Sequence, residues 1–163
     1  MTERQQLFLD QARSDFAVFE MLRTQPSLPS CHALHYLQMA PEMLGKARAW
    51  KHSSPATTHR ALVGFLRGLS TNRHAQKHLG FGGQNENWRH MIRKSVPLAE
   101  RIEDLAPALA GQGPNPEYPW PPEWPRTAPV NHDFEIWQDL QAGAGSHFIA
   151  FLRRLFAAAE AYL

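Results

Sequence analysis

Apolar residues recur at spacings of three and four along most of this chain, and the clearest run is residues 30–50, SCHALHYLQMAPEMLGKARAW. Leu34, Leu37, Leu44 and Ala47, with Ala33 and Ala40 beside them, form the stripe of an amphipathic helix that faces a core. Ser30 stands where a helix wants an N-cap. Gln38, Glu42 and Lys46 make a second ridge at intervals of four, with Glu before Lys, the favourable order for a helical ion pair. Pro41 lacks an N–H and its ring crowds the carbonyl of Leu37, which predicts a kink.

The same periodicity predicts a helix over 3–23, built on Leu7, Ala12, Phe16, Phe19, Met21 and Leu22, and closed by a turn holding Pro26 and Pro29. A loop is expected over 52–58 (HSSPATT), then a helix over 59–69 with Leu62, Val63, Phe65, Leu66 and Leu69 apolar. Gly80, Gly82 and Gly83 predict a mobile loop after the polar stretch 73–78. A helix over 86–110 carries Trp88, Ile92, Val96, Leu98, Ile102, Leu105 and Leu109, with Pro97 kinking it or starting a second segment and Gly111 as its C-terminal cap. Asp133 is expected to cap a short turn holding Phe134, Ile136, Trp137 and Leu140. A break over Gly143–Ser146 then precedes a last helix, 147–163, whose broad apolar surface implies burial against two neighbours. No strand-like alternation and no internal repeat is visible. The expectation is an all-α protein, one domain over residues 1–163.

Residues 111–132 differ in kind, holding seven of the thirteen prolines. Pro116, Pro119, Pro122 and Pro125 fall every third residue, the period of a polyproline II helix, where they would form one ridge. Such a segment suits an adaptor that presents a ligand to a proline-recognising domain. Three aromatics so close together, Tyr118, Trp120 and Trp124, favour an arm packed on its own domain.

Composition narrows the classes. The single cysteine, Cys31, lies inside the apolar helix, so no intrachain disulfide forms and a buried, inert thiol is expected. The N-terminal stretch MTERQQLFLDQARSD is charged throughout, without a signal-peptide core. No apolar run approaches the roughly 18 residues of a membrane span. A soluble cytoplasmic protein without membrane association is the expectation. The net charge of +2 conceals a basic middle: residues 46–101 hold eleven Lys and Arg against Glu86 and Glu100, while both flanks are acidic. Such asymmetry points to an anionic partner or to an acidic surface of the same protein. Arg67, Arg73, His74, Lys77, His78, Arg89 and Arg93 flank the glycines and form the candidate anion-binding set, with Phe81 and Trp88 as candidate base-stacking rings.

Cys31, His32, Ala33, Gln38, Glu42, Lys46 and Ala47, followed by the Thr58–His59 pair, resemble the pattern of a HEPN-type helical bundle over about residues 5–70. Pro41 departs from that pattern. The resemblance implies an up-and-down four-helix bundle, here with a proline-rich arm and a short extra helix. Many HEPN proteins are dimeric, metal-independent endoribonucleases that use an Arg, four to six intervening residues, and a His. The Arg would stabilise phosphate charge and the His would move protons. Others lack the pair and serve as dimerising modules for nucleotides or proteins; a nucleotidyltransferase is the kind of protein partner this implies for the present chain. Arg67 with His74 and Arg126 with His132 have the spacing, but Gly68 and Thr127 follow the arginines where the family commonly has Asn. The first reading is therefore a non-catalytic, homodimeric binding module for a nucleotide, RNA or protein, needing no cofactor. A metal-independent ribonuclease of toxin–antitoxin or defence type is the alternative. His32/His35 and His74/His78 have metal-ligand spacing on a helix, but no Glu-x-x-His or His-Glu-x-x-His motif accompanies them, so no metal is expected.

Overall fold

The helix read most clearly from the sequence is also the one against which the helices before and after it in the chain pack. In the computed structural model, which describes residues 1–49 and 60–163, α1 spans Glu3–Leu22 and α2 spans Ser30–Ala49. Leu34, Leu37, Ala40, Leu44 and Ala47 of α2 are fully buried, which identifies the apolar stripe as the core face. Ser30 is the first helical residue, not the cap before it. Pro41 is buried inside α2, and the helix continues through it to Ala49. The two helices run antiparallel: Gln5, near the start of α1, donates through Nε2 to the carbonyl of Ala47 at 3.1 Å. The same Gln5 completes a capping box with Thr2, which fixes the first turn of α1.

The Gln38–Glu42–Lys46 ridge is a hydrogen-bonded chain. Gln38 Nε2 donates to Glu42 Oε2 at 2.8 Å and Lys46 Nζ to Glu42 Oε1 at 2.5 Å. It is not a solvated face, because Gln38 and Glu42 are each only 3% exposed. A carboxylate so far from water requires such partners. The loop expected over 52–58 and the Thr58–His59 helix start lie outside the described residues.

Next come α3 (Ala61–Leu69), α4 (Arg73–Gln76) running into a π-turn (Lys77–Phe81), α5 (Asn85–Glu103) and α6 (Pro107–Ala110). α3 packs between α2 and α5. Its own N-terminus has no side-chain cap. The orphan amide of Val63 donates instead to Glu103 Oε1, on α5, at 2.9 Å. Helix α5 continues through the exposed Pro97 and stops at Glu103, short of the expected residue 110. Pro107 then opens the separate α6, which ends at Gly111 with φ +61°.

Burial raises the Glu103 carboxyl above its ordinary value of 4.5, and the hydrogen bonds from the α3 amides offset only part of that. The fold therefore disfavours the charged form. The group's contribution to stability is greatest below the ordinary carboxyl pKa and declines as pH rises through the raised one. Relative to Glu103→Gln, the wild type should gain stability when urea melts are moved from pH 7 to pH 4. A relative loss on acidification would contradict this assignment.

The chain ends with α7 (Glu135–Gln141), α8 (Gly143–Ala158) and a 3₁₀ turn, Ala159–Ala161. Two sequence expectations change here. Asp133 does not cap α7, since Phe134 occupies the N-cap and Asp133 Oδ2 accepts from Gln138 Nε2 at 3.0 Å. The segment Gly143–Ser146 is no break but the first turn of α8. Phe156 stacks on Phe16 of α1 with centroids 4.5 Å apart, and Phe151 meets Trp88 of α5 edge-on at 6.1 Å. The broad apolar face of α8 is thus buried against two neighbours.

The proline-rich arm reverses on itself. Trp120 N–H donates to the carbonyl of Thr127, and Arg126 N–H to that of Trp120, both at 3.0 Å. A straight polyproline ridge over residues 116–125 is therefore not formed. Trp120 is buried edge-on against His132 and Phe134, whereas Trp124, in the reversal, is 78% exposed. Among the described residues no strand is present, and no helix is long and apolar enough to cross a membrane.

Candidate anion-binding site

The basic stretch around the glycines folds into a short helix, a widened turn and the start of α5. Asn72 caps α4, its Oδ1 accepting from Ala75 N–H at 2.9 Å. Gly80, at φ +81°, supplies a left-handed residue that lets the π-turn close. Gln76 then ties the turn together: its Nε2 donates to the Phe81 carbonyl at 2.9 Å and to Asn85 Oδ1 at 3.0 Å. Where the glycine pattern predicted a mobile loop, the chain forms a hydrogen-bonded turn between two helices.

Beside this turn, the α3–α4 junction, α4 and the start of α5 line a cavity of about 210 Å³, through Ser70, Thr71, Arg73, Gln76, Asn85, Trp88 and Arg89. Two arginines line it, one before the turn and one after it, together with residues bearing hydroxyl and amide groups. No acidic residue lines it. Arg89 has one acidic neighbour, Glu86, at 3.6 Å, and both side chains are exposed. Such a pair contributes little and yields readily to a competing anion. Forked guanidinium donors suit phosphate or carboxylate oxygens.

The other members of the basic set do not converge here. Arg67 is held by Glu100 at 3.0 Å. His74 and His78 pack ring to ring at 4.5 Å on the exposed side of α4 and the π-turn. Lys77 and Arg93 are exposed and line no part of the cavity. Among the described residues no acid pairs with Arg73, Lys77 or Arg93. The stacking role considered for the rings changes as well. Trp88 is 1% exposed, a core residue whose Nε1 donates to the Leu69 carbonyl at 3.2 Å. Phe81 already carries the Arg154 guanidinium 4.9 Å above its ring.

The two Arg/His pairs differ in surroundings. Arg67 points its guanidinium at an acid and His74 points at His78. Arg126 is exposed in the arm, while His132 packs between Trp120 and Phe134 and borders a cleft that also holds Asp104, Asp133 and Glu135. Three acids line that cleft against one arginine, Arg101, a balance that opposes a phosphate backbone.

One titratable cluster escaped the sequence reading. His35 Nδ1, on α2, is 3.4 Å from Glu117 Oε1 of the arm, across a cleft of about 420 Å³. On α1, burial raises the Asp15 carboxyl, opposed by a hydrogen bond from Gln11 and then by His35. These groups come from three segments far apart in sequence, so no local spacing announces them. Cys31 borders the same cleft, 1% exposed, with burial pushing its thiol up and away from reactivity. Among the described residues, no three His, Cys, Asp or Glu side chains come together as a metal-binding group.

No protein-family model, curated protein or solved structure matches the chain.

Proposed function

We propose that this chain is a HEPN-like, non-catalytic binding module that dimerises and takes a phosphate-bearing ligand, a nucleotide or RNA, at the Arg73–Arg89 cavity. One observation carries the proposal: two arginines, one before the turn and one after it, line a single polar cavity that no acidic residue lines. The fold assignment and the dimer rest on the resemblance of residues 5–70. The all-α architecture, with α2 against both α1 and α3, is consistent with that fold and carries no argument for the dimer. The non-catalytic reading draws on Arg67 and His74, which line none of the described clefts, and on the three acids in the cleft beside His132.

The test is a titration of a mononucleotide and of a short RNA at low salt, where counterion release favours binding most. Arg73→Ala and Arg89→Ala should each weaken binding roughly tenfold, the loss of one charge-assisted contact, and raised salt should weaken it further. No binding at low salt, or equal binding by the double variant, would overturn the site. An RNA-cleavage assay in EDTA on wild type, Arg67→Ala and Arg126→Ala bears on the chemistry. Cleavage by the wild type that disappears in either variant would replace this reading with the metal-independent ribonuclease. Sedimentation of the wild-type chain checks the dimer.

A further inference from the structure

The largest cavity among the described clefts lies elsewhere, between α5 and α8, at about 570 Å³. That is within the range of small-molecule sites, roughly 300–1,000 Å³. Its apolar walls are Phe81, Met91 and Phe148. The wall's uncharged polar groups are engaged elsewhere: Ser95 Oγ donates to the Met91 carbonyl at 2.8 Å, and Asn87 Nδ2 to Gln84 Oε1 at 2.9 Å. The charged or chargeable groups that remain are three exposed basic side chains, His90, Lys94 and His147. Among the described residues no acid pairs with any of them, and no acid lines the cleft.

From this pairing of an apolar trough with an exclusively basic set of exposed side chains, we infer that the cleft binds an amphipathic monoanion, an aliphatic carboxylate whose chain lies on Met91 and Phe148 and whose head meets Lys94. A neutral apolar ligand would leave the cations unused. A polyanion would find no polar floor to replace its hydration. A long side chain such as Lys94 can cover the ligand's stem with its methylenes while its ammonium reaches the carboxylate. The site is separate from the Arg73–Arg89 cavity and does not depend on the function assigned to it.

Decanoate, below its micelle-forming concentration, and decanol are the probes, titrated calorimetrically against the full chain. Decanoate should bind saturably at one site, with decanol about fivefold weaker, the upper end for an exposed ion pair. Lys94→Met, an exposed substitution that keeps the apolar stem, should bring decanoate down to the level of decanol. Ala144→Trp fills the cleft from the first turn of α8, where Ala144 is exposed, and should abolish binding of both. The inference is overturned if decanoate shows no saturable binding, if decanol binds as tightly, or if a folded Ala144→Trp protein binds as the wild type does. A wild-type dimer that Ala144→Trp converts to monomer, with no decanoate binding, would make the cleft an interface between copies and overturn it too.

Discussion

Replacing Gly145 by alanine is expected to destabilise the protein by about 3 kcal/mol or more, at or beyond the upper end for overpacking. A Cβ at this position would stand 2.2 Å from the Asp139 carbonyl oxygen, 2.4 Å from Leu140 Cα and 2.8 Å from Leu140 C. All three are backbone atoms of α7, so no rotamer change relieves the clash. The start of α8 would have to lift off the end of α7, drawing the buried Phe148 and Ile149 with it. Gly143, two residues earlier in the same turn, is the control, because a Cβ there meets nothing within 4 Å. Gly143→Ala should be neutral or stabilising by up to about 1 kcal/mol. Urea unfolding of the two variants measures the contrast, and equal midpoints would refute the close approach.

Trp88→Ala should cost about 4 kcal/mol, typical of emptying a large aromatic site in a core. The indole does two things. It fills the space between Phe81 and Phe151, at centroid distances of 5.4 and 6.1 Å, and it donates to the last carbonyl of α3. Trp88→Phe keeps much of the packing and removes the donor, leaving the Leu69 carbonyl without that partner, at a further expected cost of about 1–2 kcal/mol. The alanine variant also removes a wall of the Arg73–Arg89 cavity. Nucleotide binding, where present, should fall further in Trp88→Ala than in Trp88→Phe. An unfolding free energy within about 0.5 kcal/mol of wild type for the alanine variant would refute the core assignment, since that is the size of an ordinary surface change.

Legibility divides along the range of the interaction concerned. The core face of α2 was readable because Leu34, Leu37, Leu44 and Ala47 repeat within one helix, and the Glu42–Lys46 pair because four residues separate them. That Glu42 is buried was not readable, since its surroundings are set by how other helices pack on α2. Gly145 misled for the same reason. Beside Gly143 it reads as a helix breaker, and only the docking of α7 shows that it is there for want of a side chain. Asp133 likewise looked like a cap, a local role, but it binds Gln138. The basic set was legible as composition. Which of its members converge depended on the π-turn at Gly80 and on Gln76, and five of the seven lie outside the cavity. The His35–Glu117 contact and the cleft between α5 and α8 join segments that share no spacing, so sequence pattern carried no sign of either.

The carboxylate of Glu103 that closes the start of α3 has a consequence for how the chain is made. Val63 and Glu103 are forty residues apart. α3 is nine residues long, below the roughly 12–15 at which an isolated helix becomes even marginal in water. During synthesis its residues emerge well ahead of the group that secures them. A chain that stops before α5 keeps the packing of α3 on α2 but lacks the acceptor for the Val63 amide, which gains its partner only once α5 is in place.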